Sequence, residues 1–520
     1  MVRTYSHVLI VRLELRRGFS SPDSVSPSRQ PANTSKFPRI PPEASQSAVI
    51  METAAAALPE WVLLDRFVFR RSSSTDVDDS DTTSAECRTS TGVSFSVSFR
   101  LAAPPATSRI YLHWPDSDAA GFSVVGSHRD AVLFSLFPSA PREDFSRSLY
   151  TRDLFVYRAG GGDKQPSLTL LPSWADHLTR AERKSLPPIE SWFLLSDLKS
   201  LGILRTDDQE IVVAHLRVGT SRGCYDLLTD VFAADMYIFS SSTMKWQHRV
   251  LPIGGGGGDT REDLSNVHNW STNTVIPFRT YLCWVDYLLG VLFFDTATED
   301  CSQVTFVALP VDNSTFLRDF MDSGVSSTAK ICMDMYRTVS VVGSEDGPLM
   351  MRFVDVTPLD GYRRTTCSSG CKVTCWTLVV TEEDHKMVWQ KDAVIQPDDL
   401  CLDTFFPFPH EPLKFPVMSV DNPRIIYFVL GEIGFHIKKV WVVTVDTITR
   451  TVLSVLPYLK REEDLRGDDA DMAKRKSYRF QPFLPTEISK FLNKGRTSES
   501  VFGLHGKHEY SFVRRAQPLL

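Results

Sequence analysis

A serine between two glycines is the first feature of this sequence that suggests chemistry. Gly219-Thr-Ser221-Arg-Gly223 follows a strand-like stretch and matches the nucleophile elbow of hydrolases, with Ser221 as nucleophile. That elbow requires a helix directly after the serine, within alternating strands and helices. The residues that follow Gly223 lead into another strand instead. We therefore interpret the segment as a hairpin turn and keep a hydrolase using Ser221 as an alternative.

Three cysteines at four-residue spacing, Cys367, Cys371 and Cys375, are the candidates for metal binding. Structural zinc sites normally use two cysteine pairs from separate segments, and one cluster is visible here. If the segment is a strand, Cys371 and Cys375 share a face but lie about 13 Å apart. Because that separation is too large for one ion, we predict buried thiols, with no metal and no cofactor.

Other matches to catalytic sequence motifs lack the structural context that their chemistry needs. The five glycines at 254–258 are not followed by the Lys-Ser/Thr and helix of a phosphate loop, so we predict a flexible loop tip. The remaining matches are two Ser-x-x-Lys motifs and two adjacent Asp-His pairs, namely Ser196 with Lys199, Ser327 with Lys330, Asp176-His177 and Asp384-His385. Adjacent residues do not orient one another as a catalytic dyad requires. We predict no catalytic residue and no enzymatic activity.

Short strands dominate the chain from Pro59 onward. Val93 to Phe99 alternates apolar and polar residues with a period of two, which predicts a half-buried strand. Similar segments rich in β-branched and aromatic residues lie at 109–114, 131–137, 154–157, 167–171, 210–218, 236–239, 281–286, 290–295, 304–309, 372–380, 424–430 and 440–445. Short helices are predicted at 173–179, 316–321 and 485–492.

One phrase recurs along the chain: a strand, a polar turn, and a second strand that closes in a Leu-Pro-like tail. Its copies end near 172, 252, 310, 394 and 457. We interpret each copy as the two outer strands of a four-stranded antiparallel blade, because such units need neighbours to cover their faces. The fold class predicted is therefore all-β, an irregular β-propeller-like array with a few short helices. Two β-sandwich-like domains are the alternative.

Composition divides the chain into segments. Residues 1–56 are predicted to be a disordered extension, either transit-like or preceding an initiator at Met51, because seven basic residues in 1–50 face three acidic ones and prolines are frequent. The propeller-like domain is predicted at 57–460. A charged loop at 461–476 and a C-terminal segment at 477–520 that closes the fold follow.

The net charge of the 520 residues is −6. A general binder of nucleic acid or anionic membranes usually carries a basic excess, so both partner classes are excluded. The nine scattered cysteines are typical of reduced thiols inside a cell. We expect a cytoplasmic or nuclear protein, with chloroplast or mitochondrion as the alternative if residues 1–50 are a transit peptide.

Several segments resemble a plant family expanded in grasses, the domain of unknown function 1618 family. They include Pro59 to Asp65, Tyr150 to Tyr157 with Pro166 to Pro172, and Tyr281-Leu-Cys-Trp-Val-Asp-Tyr-Leu-Leu-Gly-Val-Leu-Phe-Phe-Asp295 running on to Pro310. The resemblance covers roughly residues 58–460 and is most specific at about 281–420. Its signature residues are Trp61, Asp65, Cys283, Trp284, Asp286, Gly290, Asp295 and Pro310.

The resemblance implies no activity, because the family has no assigned catalytic residues. There is also a distant similarity to the propeller regions of F-box proteins. We therefore predict a monomeric, non-enzymatic scaffold that binds a protein partner. A substrate adaptor of a ubiquitin ligase, lacking a clear F-box, is the alternative within the same class.

Overall fold

The computed structural model divides the chain into two units, Met1–Ala56 and Ala57–Leu520. All residues that the structure describes lie in the second unit. They are 58–71, 83–114, 121–137, 152–160, 164–174, 197–218, 225–226, 231–256, 266–298, 301–311, 313, 333–343, 348–362, 370–381, 386–399, 413–433, 437–458 and 483–492.

The described residues form 26 strands in five sheets, together with one short α-helix, α1 (Ile488–Leu492). Sheet A has the order β2-β3-β4-β1-β26, and sheet B has the order β5-β6-β7-β8. The strands of sheet A are β1 (Val62–Arg71), β2 (Ala85–Arg88), β3 (Ser94–Arg100), β4 (Thr107–His113) and β26 (Leu484–Thr486). Those of sheet B are β5 (Gly121–His128), β6 (Ala131–Phe137), β7 (Asp153–Arg158) and β8 (Ser167–Leu170).

Sheet C contains two four-stranded halves, each antiparallel. The first half consists of β9 (Leu201–Arg205), β10 (Ile211–Val218), β12 (Val231–Ser240) and β13 (Lys245–Gly255), with β11 (Tyr225–Asp226) beside β12. The second half consists of β14 (Thr274–Phe278), β15 (Tyr281–Asp286), β16 (Gly290–Asp295) and β17 (Val304–Ala308). A parallel pairing of β13 with β17 joins the two halves.

Sheets D and E are antiparallel four-stranded sheets in chain order. Sheet D consists of β18 (Arg337–Val342), β19 (Met350–Pro358), β20 (Cys371–Val380) and β21 (Met387–Ile395). Sheet E consists of β22 (Lys414–Met418), β23 (Ile425–Ile433), β24 (Ile437–Asp446) and β25 (Thr451–Pro457). Within the described residues, four 3₁₀ turns lie at Leu198–Ser200, Asn266–Asn269, Met333–Met335 and Pro397–Asp399.

The recurring sequence phrase is confirmed as an antiparallel hairpin in every copy. The five hairpins are β7-β8, β12-β13, β16-β17, β20-β21 and β24-β25, and each forms the last two strands of its sheet or half-sheet. The prediction of an all-β fold built from four-stranded antiparallel units is thereby confirmed for sheets B, D and E and for both halves of sheet C. Sheet A departs from it, because it has five strands and β1 pairs parallel with β4.

Among the residues that the structure describes, five hydrophobic clusters connect the sheets in a ring. They bridge sheet A to B, sheet B to the first half of C, the two halves of C, the second half of C to D and E, and sheet E back to A. In the last cluster Trp61 and Leu63 pack with Phe415 and Val417. This closed sequence of neighbours is an irregular propeller-like arrangement, so the alternative of two β-sandwich-like domains was wrong.

Strand β26 completes sheet A by pairing antiparallel with β1, from Val62 with Thr486 to Leu64 with Leu484. The helix predicted over 485–492 therefore begins later, at Ile488, because the preceding residues are held in the sheet. The helices predicted at 316–321 and over most of 173–179 lie outside the described residues.

The glycine run is also different from the prediction. Gly254 and Gly255 belong to β13 and pair with β17, so this part of the run is not a loop tip. At Gly256 an added Cβ would lie 2.8 Å from Val307 Cγ2 and 3.1 Å from the Phe306 carbonyl oxygen. Glycine is used here for the close approach of two backbones. Residues 257 and 258 lie outside the described part of the chain.

His215 on β10 makes folding stability depend on pH. Its ring is 3% exposed, neither ring nitrogen has a hydrogen-bond partner, and burial lowers its pKa to about 4. Because the unfolded chain takes up this proton at a higher pH than the native protein, stability falls as the pH drops from about 6.5 towards 4.

We expect His215→Leu to flatten this dependence. The pKa difference predicts that, on going from pH 7 to pH 5, the free energy of unfolding of His215→Leu rises by about 2 kcal/mol relative to that of the wild type. Urea denaturation at both pH values measures this. His268→Leu, which removes a histidine that is exposed, is the matched control. An unchanged slope in His215→Leu would contradict the assignment.

No helix in the described part of the chain is long and apolar enough to cross a membrane.

Candidate functional site

The innermost strands surround a central cavity of about 280 Å³. The first strand of sheet B, of each half of sheet C, and of sheets D and E contributes to its lining, together with β26. These strands have a free edge on the cavity side, which tolerates Pro277 in β14 and Pro416 in β22. The arrangement brings residues far apart in the chain to one site.

The cavity is cationic, whereas the protein is acidic. Among the described lining residues four cations, Arg66, Arg129, Lys199 and Arg279, accompany two carboxylates, Asp334 and Glu487. Charged walls of one sign concentrate oppositely charged ligands, and they do so more strongly in a cleft than on an open surface. The lining therefore favours an anionic ligand.

Residues that precede three inner strands meet in the lining of the cavity. The Lys199 ammonium lies 2.5 Å from one Asp334 carboxylate oxygen, and the Asn273 amide donates to the other at 2.8 Å. Burial raises the pKa of Asp334, although both partners oppose this. Both oxygens are engaged, so this carboxylate is placed to hold the strand starts together rather than to attack or to take a proton.

Arg66 enters the same cavity from a bulge in β1, where the register with β4 shifts between Leu64 and Val68. A bulge redirects the side chains of the residues that leave the ladder. Strand β5 has a bulge between Val124 and Gly126, and the Arg66 Nη1 donates to the Val125 carbonyl at 2.8 Å. Two facing bulges thus fix the guanidinium.

The other edge of the Arg66 guanidinium is free of protein partners in the described structure. Its Nε is shielded from solvent and has no hydrogen-bond partner, and the hydrogen bonds of this side chain use Nη1 alone. Burial lowers the pKa of Arg66, while Tyr287 and Asp334 raise it. Arginine remains charged under these conditions because its ordinary pKa is so high.

Asp65 shapes the bulge that carries Arg66. It is 1% exposed, and one carboxylate oxygen accepts a hydrogen bond from the Phe67 backbone at 3.0 Å. The other oxygen accepts from the Tyr458 hydroxyl, which connects sheet E to β1. Burial, followed by the Asp65 charge, raises the pKa of Tyr458 well above its ordinary value. Asp65 therefore acts as a positioning residue for Arg66.

His128 lines the cavity near Arg129. Its Nδ1 accepts a hydrogen bond from the Arg205 backbone at 2.8 Å, so the remaining proton of the neutral ring is on Nε2. Burial, followed by the charge of Arg129, lowers its pKa to about 4. At neutral pH His128 is a hydrogen-bond donor and adds no charge to the site.

The cysteine candidates are placed as buried thiols where the structure describes them. Cys371 and Cys375 are buried and not disulfide-bonded, and they lie four residues apart on β20. Burial raises the pKa of Cys375 to about 12, which disfavours the thiolate that a metal requires. No group of three or more metal-ligating side chains is found within the described ranges. Cys367 lies outside them.

Most of the other candidates from the sequence lie outside the described residues, namely Ser221, Ser196, Ser327, Lys330, Asp176, His177, Asp384 and His385. Lys199 is described, and it pairs with Asp334.

The signature residues lie in cores and turns. Trp61, Cys283 and Trp284 are buried, and burial raises the pKa of Cys283 well above its ordinary value. Asp286 accepts from the backbone of Ser271 and Leu288. Asp295 accepts hydrogen bonds from the Ala297 backbone and the Thr298 hydroxyl in a turn. A Cβ on Gly290 would lie 2.4 Å from the Val307 carbonyl oxygen. Pro310 follows β17. Asp65 acts on the cavity through Arg66, and Cys283 and Trp284 lie opposite the lining residues Ile276 and Val275.

Sequence reasoning missed Arg66, Asn273 and Asp334 as site residues. None belongs to a catalytic sequence motif, and each is brought to the cavity by a bulge or by the start of a strand. A pattern of polar residues just before short inner strands was the available signal, and those strands were themselves not predicted.

Residues 284–427 match the family model described as Protein of unknown function (DUF1618). The match confirms the resemblance over this segment, which extends from β15 to β23 and includes all of sheet D. The DUF1618 segment contributes Asp334 and β18 to the cavity. No curated protein matches the chain.

Among solved structures, the chain is similar to the β-propeller domain of the Trilobed protease from Pyrococcus furiosus, described as having an open velcro topology. Identity is 9%, coverage is 66% of this chain and 84% of that chain, and the TM-score is 0.23. The polysaccharide lyase Uly1 matches at 8% identity, with 78% and 90% coverage and a TM-score of 0.23.

A third similarity is to a variant of the α-L-arabinofuranosidase Arb93A from Fusarium graminearum, solved with an iminosugar inhibitor. Identity is 11%, coverage is 72% and 93%, and the TM-score is 0.20. At these TM-scores the similarities carry no functional argument. The fold described above rests on the sheets and clusters of this chain.

Proposed function

We propose that this protein is a non-catalytic, intracellular scaffold that binds a protein partner by receiving an acidic group of that partner in the central cavity. The observation that carries the proposal is the cationic excess of the cavity lining in a chain of net charge −6. Of its charged lining residues, Asp334 is held by Lys199 and Asn273, and Arg129 is paired with Asp207 at 2.7 Å. Arg66 and Arg279 are therefore the cations suited to binding an anion.

The size of the cavity supports the same function. Ligand pockets usually measure about 300–1,000 Å³, so a cavity of about 280 Å³ admits a small molecule or one or two side chains. The rest of a partner would contact the surrounding loops. Aromatic and arginine side chains at the centre of such contacts often dominate the binding energy.

Reversing one cavity charge tests the proposal. Arg279 lines the cavity, is exposed, and lies over the Phe278 ring at 5.3 Å. We expect Arg279→Glu to weaken partner binding at least tenfold, because the substituted carboxylate repels an acidic group. Arg88 is an exposed arginine on the outer strand β2, so Arg88→Glu is the matched control and should bind as the wild type.

The measurement is quantitative affinity purification of the full chain and both variants, followed by a dissociation constant for the recovered partner. A partner retained equally by all three proteins would contradict binding through the cavity. Turnover of a substrate that is lost in Ser221→Ala would instead support the hydrolase alternative.

A substrate adaptor of a ubiquitin ligase would be one form of this scaffold. Recovery of a ligase subunit with the wild type and with Arg279→Glu, together with loss of a second protein from Arg279→Glu alone, would support that form. Recovery of the partner without any ligase subunit would argue against it.

A further inference from the structure

Arg66 combines three properties that together define a binding group. It is fixed in place, its Nε is shielded from solvent, and one of its two hydrogen-bonding edges has no partner in the described structure. A buried donor without a partner is costly, so native proteins seldom retain one without a reason. A ligand acceptor at this edge would satisfy it.

The geometry of the guanidinium indicates the acceptor. Nη1 is used by the Val125 carbonyl, and this leaves Nε and Nη2, which point along one side of the planar group. Two parallel N–H donors match the two oxygens of a carboxylate, and such paired, charge-assisted bonds are among the strongest hydrogen bonds in proteins.

We propose that the Nε–Nη2 edge of Arg66 is a carboxylate receptor, which binds the carboxylate of a small organic acid or of an acidic residue in a partner. The inference rests on the proposed function, since it names the group in the cavity that receives the acidic ligand. Asp65 sets the bulge that aims Arg66, and Lys199 lies at the same site but is paired with Asp334.

Asp334 limits the affinity of the receptor. Its carboxylate competes electrostatically with an incoming anion and occupies the Lys199 ammonium at 2.5 Å. Asp334→Asn removes the negative charge and releases Lys199 from its ion pair while keeping a side chain of similar shape. Anion binding should therefore become stronger in this variant, which is an outcome that a misfolded protein does not produce.

Isothermal titration calorimetry of the full chain tests the receptor with two probes. One is sodium glutarate, and the other is the blocked peptide acetyl-Gly-Gly-Glu-Gly-Gly-amide, with the glutamine peptide as its negative control. We expect saturable binding of at least one acidic probe by the wild type. Arg66→Met should weaken it at least tenfold, Arg66→Lys less, and Asp334→Asn should strengthen it about threefold to tenfold.

Arg88→Met, on the outer strand β2, is the matched control and should leave binding unchanged. Circular dichroism checks that each variant is folded. Glutarate binding alone identifies a small acid as the source of the carboxylate, and peptide binding identifies a partner residue. Either result supports the receptor if it depends on Arg66.

The receptor would be overturned if neither probe binds the wild type, or if a folded Arg66→Met binds as tightly as the wild type. The receptor and the proposed function can be contradicted independently of each other. If partner binding still depends on Arg279 while carboxylates ignore Arg66, the scaffold stands and the receptor does not.

Discussion

Arg337→Met is expected to lower the free energy of unfolding by about 3–5 kcal/mol, because it leaves a buried carboxylate without its counter-ion. Arg337 is 2% exposed, and its Nε donates to Asp355 at 2.6 Å. Its Nη1 donates to the Tyr287 carbonyl at 2.6 Å and to the Asn313 amide oxygen at 2.8 Å. This one side chain joins sheet D to the second half of sheet C. Urea denaturation followed by tryptophan fluorescence measures the loss.

Two further variants make this prediction specific to burial. Arg424 forms a similar pair with Asp446 at 2.9 Å, but its side chain is 49% exposed, so Arg424→Met should cost less than about 1 kcal/mol. Arg337→Met combined with Asp355→Leu should recover most of the stability, because no uncompensated charge remains. Equal losses in Arg337→Met and Arg424→Met would contradict the buried network.

Trp284→Ala is expected to cost about 3–5 kcal/mol, the usual range for deleting a large buried aromatic side chain. Trp284 is fully buried in the cluster that bridges the two halves of sheet C, and its indole Nε1 donates to the Ser200 carbonyl at 2.8 Å. Ser200 directly precedes the inner strand β9, so the loss should also loosen one wall of the cavity. Urea denaturation followed by circular dichroism measures the change.

Phenylalanine substitutions separate the hydrogen bond from the packing. Trp284→Phe leaves the Ser200 carbonyl without its donor and should cost about 1–3 kcal/mol beyond the packing change. Trp389 on β21 has no hydrogen-bond partner on its buried indole Nε1, so Trp389→Phe removes no such bond. A larger cost for Trp389→Phe than for Trp284→Phe would contradict this account.

The outer hairpins were predictable because their strands are long, rich in β-branched residues and joined by clear polar turns. All five copies of the phrase became hairpins, and the strands predicted at 131–137, 281–286 and 290–295 match β6, β15 and β16 in full. In these strands local propensity and tertiary burial favour the same structure.

The inner strands were not predicted, and they form the cavity. Strands β14 and β22 are five residues long and contain proline, and β5 contains glycine and polar residues that face the cavity. Such segments lack the alternation that marks a half-buried strand. Only tertiary packing makes them strands.

The site was hidden for a related reason. Arg66 is presented by facing bulges in β1 and β5, and Asp334 meets Lys199 across more than a hundred residues of chain. No rule based on residue spacing predicts these bulges or this ion pair. By contrast, the signature residues Trp284, Asp286 and Gly290 are visible in the sequence because they stabilise one local stretch of sheet.

Site-specific photo-cross-linking tests the central claim most directly. A photoreactive residue replaces Ile276, which lines the cavity from β14, or Val388, which is 41% exposed on the outer strand β21. The recovered partner is predicted to cross-link from position 276, through an acidic segment, and not from position 388. Cross-linking from 388 alone would contradict binding through the central cavity.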